Sequence, residues 1–104
     1  MRKEYYKLVR DNIPEIMRKE GELPKAAVMT DKEYRNELGL KLQEECNELL
    51  SSYDISEFAD VLEVLEAIAK SRGIPWGRIL AEKVDKAEKK GKFDKKVFLM
   101  YSEY

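Results

Sequence analysis

Apolar residues return every three or four positions along most of this chain, the period of amphipathic helices rather than of strands. Residues 12–21 open with Asn12 as a candidate N-cap, Pro14 in the first turn and Glu15 at the third helical position. They carry Ile13, Ile16 and Met17 to a stop at Gly21. Residues 22–29 read as a connector that packs through Val28 and Met29. Thr30 and Glu33 form a capping box that starts a long helix ending near Ser51 or Ser52. Gly39 interrupts it at a cost of about 1 kcal/mol relative to alanine, which close packing against a neighbouring helix would explain. A further helix spans 54–72 and closes at Gly73. Pro75 starts the last, which carries Trp76, Ile79, Leu80 and Val84 to Gly91. The expected fold is all-α or mainly α, an antiparallel bundle of about four helices forming one domain over residues 1–104. Its only β element would be a short pairing of residues 5–9 with the tail that begins at Lys96.

The two central helices, joined by a tight turn, should be antiparallel neighbours. On the first, Leu38, Leu42, Cys46 and Leu49 form the apolar stripe. Glu45 falls within or beside that stripe, Glu48 lies on its edge, and Glu37 and Glu44 point further away. On the second, Phe58, Val61, Leu62, Leu65, Ile68 and Ala69 make a broad apolar face. Glu57 and Asp60 run along one margin near Val64, and Glu63, Glu66 and Lys70 lie on the solvent side. These faces are wide for so short a chain, so a second copy should cover part of them, in a homodimer or a tetramer.

The pairs Glu45/Glu48 and Glu57/Asp60 carry the candidate chemistry. Residues three apart share a helix face, so two such pairs on antiparallel helices bring four carboxylates into one small volume. A divalent cation is the simplest neutraliser of their repulsion. Two ordinary readings compete with this one. Acidic and basic side chains make up 39% of the chain, and a Glu pair three apart is commonly a solvated face. Asp54 and Glu57 also fit a second capping box. Glu45 within the apolar stripe is what favours the metal.

Composition narrows the chemistry. There are 20 basic and 21 acidic residues, a formal net charge of -1, so no global field favours a nucleic acid polymer or an anionic membrane. No apolar run reaches transmembrane length and the start lacks a signal peptide's apolar region. The single cysteine, Cys46, fits a reducing cytoplasm and reads as a core residue. Histidine is absent, which removes Ser-His-Asp and Cys-His nucleophilic machinery and His-based zinc sites. What remains is carboxylates, lysines, arginines, tyrosines and a metal, and all-oxygen ligands favour Mg²⁺ or Mn²⁺. Two cationic clusters flank the acids, Lys7 with Arg10, and a lysine-rich stretch that includes Lys83, Lys86, Lys89, Lys90 and Lys92. The second has an ordinary explanation, since cations stabilise a helix C-terminus; either could also hold phosphate oxygens beside a metal.

Together these residues resemble the all-α nucleoside triphosphate pyrophosphohydrolases: MazG, dimeric dUTPases and phosphoribosyl-ATP pyrophosphohydrolase. The sequence is more closely similar to a small single-domain branch of predicted house-cleaning pyrophosphatases. The superfamily pattern of Glu-x-x-Glu followed by Glu-x-x-Asp corresponds to Glu45-Cys-Asn-Glu48 and Glu57-Phe-Ala-Asp60. The branch's opening is matched by Lys7-Leu-Val-Arg-Asp-Asn-Ile-Pro14 and its late Arg-Gly-Gly-Phe element by Lys90-Gly-Lys-Phe93. Two departures stand out. Only eight residues separate Glu48 from Glu57, and lysines replace Arg and Gly at positions 90 and 92.

The resemblance implies metal-dependent hydrolysis of a nucleotide between its α- and β-phosphates. Glu45, Glu48, Glu57 and Asp60 would hold Mg²⁺, and Glu45 or Glu48 would act as the catalytic base. Lys86 and Lys90 would contact the leaving pyrophosphate, with Lys7 and Arg10 as a second candidate pair. The alternative is a non-catalytic helical module of the same fold that senses nucleotides or binds proteins.

Overall fold

A computed structural model describes residues 1–104 as an all-α chain of four helices with no strand: α1 (Ile13–Lys19), α2 (Asp31–Ser52), α3 (Ile55–Ser71) and α4 (Trp76–Lys90). None is long and apolar enough to cross a membrane. The chain divides into two compact units, Met1–Gly73 and Ile74–Tyr104, and each is described separately.

The first unit is built on the α2–α3 hairpin, its one packed helix pair. At the start of α2 the expected capping box forms in full. Thr30 Oγ1 accepts from the Glu33 backbone N–H at 3.2 Å, and Glu33 Oε1 accepts from the Thr30 N–H at 3.0 Å. These bonds satisfy two donors that a helix start otherwise leaves free, and the bond from the Thr30 N–H, with another donated by the Thr30 hydroxyl at 2.9 Å, holds the Glu33 carboxyl below its ordinary range. At the other end Tyr53 is left-handed, φ 56. This residue and Asp54 form the whole connection, which turns α3 back along α2. Gly73 follows α3 at φ 69, and its N–H bonds Lys70 O at 3.1 Å, a helix ending that glycine adopts without side-chain strain.

The hairpin seam is small. Leu38 is 2% exposed, and Val64 and Ala69 are the other buried apolar residues. Val61 and Ile68 are half-buried, whereas Phe58, Leu62 and Leu65 are exposed. The sequence reading therefore misplaced the packed face of α3. It centred that face on the widest apolar arc, but α2 packs along the margin holding Glu57, Asp60 and Val64. The remaining apolar arc faces outward. Gly39 also differs from expectation: a Cβ there would meet nothing within 4 Å, so no helix packs against it. In the connector Met29 is half-buried while Val28 is fully exposed.

The terminal strand pair does not form. In residues 5–9 the left-handed backbone at Tyr6, φ 44, breaks the extended run. In the second unit Lys96 is left-handed as well, φ 58, and Val97 to Tyr101 are exposed without regular structure. An extended segment is stable only when its backbone groups pair with a neighbour, and a two-stranded ribbon is marginal even then. The second unit is otherwise α4, which begins after Pro75 and ends at Gly91 as the sequence indicates.

Two stability measurements check this description. Leu38→Ala should lower the unfolding free energy by about 2–5 kcal/mol in urea titrations, the cost of an uncollapsed core cavity. Gly39→Ala should raise it by about 1 kcal/mol, because the helix gains propensity where space is open. A loss at Gly39 instead would reveal another chain packed on that turn.

Candidate metal centre

Glu45 lies at the centre of the hairpin's acidic cluster and is the single buried charged residue, 5% exposed. Helical spacing places it on the α3-facing side of α2, one turn after Leu42 and two after Leu38. Its ligand oxygens take part in two triplets. Glu45, Glu57 and Asp60 present carboxylate oxygens within 4.8 Å of one another, and so do Glu44, Glu45 and Glu48. Each of the four predicted ligands belongs to a triplet and Glu45 belongs to both, but Glu48 at the exposed rim shares none with the half-buried Glu57 and Asp60. The competing capping box at α3 is absent: Asp54 makes no side-chain cap, and its N–H instead bonds Ser52 Oγ at 3.2 Å. Glu57 is free of that role, and its Oε2 is buried without a hydrogen-bond partner.

Three cations face the cluster. Lys7 Nζ donates to Glu44 Oε1 at 2.9 Å, and Arg10 Nη2 donates to Asp60 Oδ1 at 2.7 Å. Lys41, with a side chain only 16% exposed, lies 3.3 Å from Glu44 Oε1 and 3.2 Å from Glu45 Oε1. Five carboxylates against three cations leave two negative charges uncompensated. Glu48 and Glu57 enter no ion pair, and Glu45 Oε2, like Glu57 Oε2, has no partner. Such unmatched buried oxygens are rare in folded proteins because desolvation is costly. Burial accordingly pushes the Glu45 carboxyl up, with Glu48 and Asp60 adding repulsion and Lys41 acting in the opposite sense. The hydrogen bond from Lys7 holds Glu44 down, and the same bond raises Lys7. Arg10 is likewise raised by its bond to Asp60.

Two of these participants were not foreseen. The wheel points Glu44 further away from the apolar stripe, yet it is half-buried and double-paired, and the sequence reading gives Lys41 no role. The signal available was their spacing, since Lys41 stands three residues before Glu44 and four before Glu45, both same-face separations. The predicted phosphate ligands separate into two groups. Lys7 and Arg10 meet the acids directly. In the second unit Lys86 and Lys90 are exposed on α4 and enter no ion pair, while Lys89 bonds Asp85 at 3.0 Å. Cys46 is a half-buried free thiol beside Glu45 in sequence.

The donor set is all oxygen, convergent, net negative and partly desolvated, which fits a hard divalent cation by charge and by ligand type. Compared with known proteins, the chain matches no family model, no curated protein and no solved structure.

Because Glu45 is raised in the folded state, its protonated form folds more favourably than its ionised form. That contribution is complete below the ordinary carboxylate range and is lost as pH rises through the folded value. Glu45→Gln should therefore melt higher than wild type near pH 7 in EDTA, by roughly 4–8 °C for each kcal/mol recovered. The gain should vanish below about pH 4; thermal melts across this range test it.

Proposed function

We infer that the chain is a metal-dependent nucleotide pyrophosphohydrolase. It cleaves a nucleoside triphosphate or related nucleotide between the α- and β-phosphates and releases a monophosphate and pyrophosphate. Its cellular role is the clearance of non-standard nucleotides. The observation that carries this reading is Glu45, a carboxylate buried where two acidic triplets meet, with one oxygen unpartnered. The four motifs shared with the all-α pyrophosphohydrolases indicate the reaction, and the donor set is chemically suited to it.

Glu45, Glu48, Glu57 and Asp60 would hold Mg²⁺ or Mn²⁺. The bound ion supplies charge neutralisation at the phosphates and a lower pKa for water. Glu48, exposed and free of ion pairs, is the carboxylate best suited to accept a proton from the attacking water, with Glu45 as the other candidate. Lys7 and Arg10 would supply positive charge to phosphate oxygens at this centre; in the second unit, Lys86 and Lys90 of α4 are the separate candidates that the resemblance implies. The exposed arc of α3, Phe58, Leu62 and Leu65, is the face we assign to a second copy in a homodimer or tetramer. The lone free thiol suits the cytoplasm as the site of action.

The test is to incubate the purified protein with standard and modified nucleoside triphosphates in Mg²⁺, Mn²⁺ or EDTA, assaying pyrophosphate and phosphate separately. Metal-dependent pyrophosphate release with monophosphate formation is expected; phosphate release alone would contradict the assigned cleavage. Glu48→Gln and Asp60→Asn should each weaken Mg²⁺ binding by about tenfold or more and abolish turnover. Mg²⁺ binding without turnover on any substrate would instead identify a nucleotide-sensing module.

A further inference from the structure

The segment before α1 has little to hold it except the acidic cluster. Residues 1–10 contain no regular structure, and only Leu8 and Val9 are half-buried. The two ties that cross to the hairpin by side chain are Lys7 to Glu44 on α2 and Arg10 to Asp60 on α3. Tyr6, immediately before Lys7, is left-handed at φ 44, an uncommon backbone state for a bulky residue. The segment is therefore fastened to both helices of the centre by its cations.

We propose that Lys7 and Arg10 are internal counter-cations of the acidic centre, and that a divalent ion entering among Glu45, Glu57 and Asp60 displaces Arg10 and releases the N-terminal segment from α3. This rests on the metal-centre reading above and adds a regulatory contact to it. Arg10 sits on one of the carboxylates the ion would use, 2.7 Å from its Oδ1, and also lies in the field of Glu45. Its guanidinium is half-exposed, with a side chain 54% accessible, and ion pairs of that kind contribute little on their own. A doubly charged ion one carboxylate away repels the guanidinium while competing for the same negative charge, so the exchange favours the ion. Lys41 behaves differently. It is fixed within α2 and largely buried, so it stays as the permanent counter-charge while Arg10 serves as the removable one. Displacement frees Arg10 next to the loaded centre, where an incoming anion can take it up, while Lys7 keeps its bond to Glu44. The internal cations thereby keep the carboxylates partly neutral, and the centre gains anion-binding charge only when an ion replaces Arg10.

The experiment is a Mn²⁺ titration by calorimetry of the full-length protein, wild type against Arg10→Ala and Arg10→Lys, with limited trypsin digestion in parallel. Removing a competitor should tighten Mn²⁺ binding in Arg10→Ala by up to about fivefold, with Arg10→Lys between it and wild type. In the wild type, Mn²⁺ should accelerate tryptic cleavage after Lys7 and Arg10, read by mass as chains beginning at Leu8 or Asp11. Unchanged or weaker binding in Arg10→Ala, or cleavage indifferent to Mn²⁺, overturns the exchange while leaving the metal centre in place. If neither wild type nor variant binds Mn²⁺, the metal reading fails and the exchange fails with it.

Discussion

One carboxylate sets the terms for this molecule. Glu45 is placed by helical geometry in the α2–α3 seam, where ionisation is expensive, and Lys41 meets only one of its oxygens. Every other charged group at the centre can be understood from that placement. Glu57 and Asp60 face Glu45 from α3, Glu44 and Glu48 stand beside it on α2, and the cations gather where the negative potential is highest. Repulsion among the acids is tolerated because three cations and partial solvent access offset most of it, and the remaining imbalance leaves the cluster net negative.

The same seam limits the fold. A hairpin whose buried apolar residues are Leu38, Val64 and Ala69 gains little from its core, and part of the space a hydrophobic residue would fill is occupied by an acid. The acidic cluster is carried by this pair of helices, and its cost falls on the packing that positions it. Large apolar side chains of α3 remain in solvent, so the hairpin has a hydrophobic resource that a single copy of these two helices does not use.

Much of this was legible from residue order. Caps and breakers mark the element ends, so Thr30, Gly73, Pro75 and Gly91 gave the helix boundaries closely. The four acids could be selected because two Glu/Asp pairs recur at a same-face spacing on neighbouring helices. The side of α3 that packs was not legible. Its apolar arc is wider than one helix can cover, and a wheel finds the centre of such an arc rather than the edge that is used. Glu44 was missed for a related reason. It sits about 100° around the helix from Glu45, yet Lys7 and Lys41 draw it into the cluster from outside the seam. Chain partners as distant as Arg10 and Asp60 leave no trace in local periodicity.

The connection of only two residues between α2 and α3 has a consequence for the order in which the chain assembles. Glu45 to Asp60 is a span of sixteen residues, so closing one short hairpin gathers the acids, and Lys41 comes with them on the same helix. Lys7 and Arg10 must instead be recruited across 37 and 50 residues of chain, a slower and entropically costlier search. Negative charge is therefore concentrated before its long-range neutralisation arrives. A hairpin that closes before those ties form is more acidic than the finished protein, and dissolved cations that screen it would ease its formation.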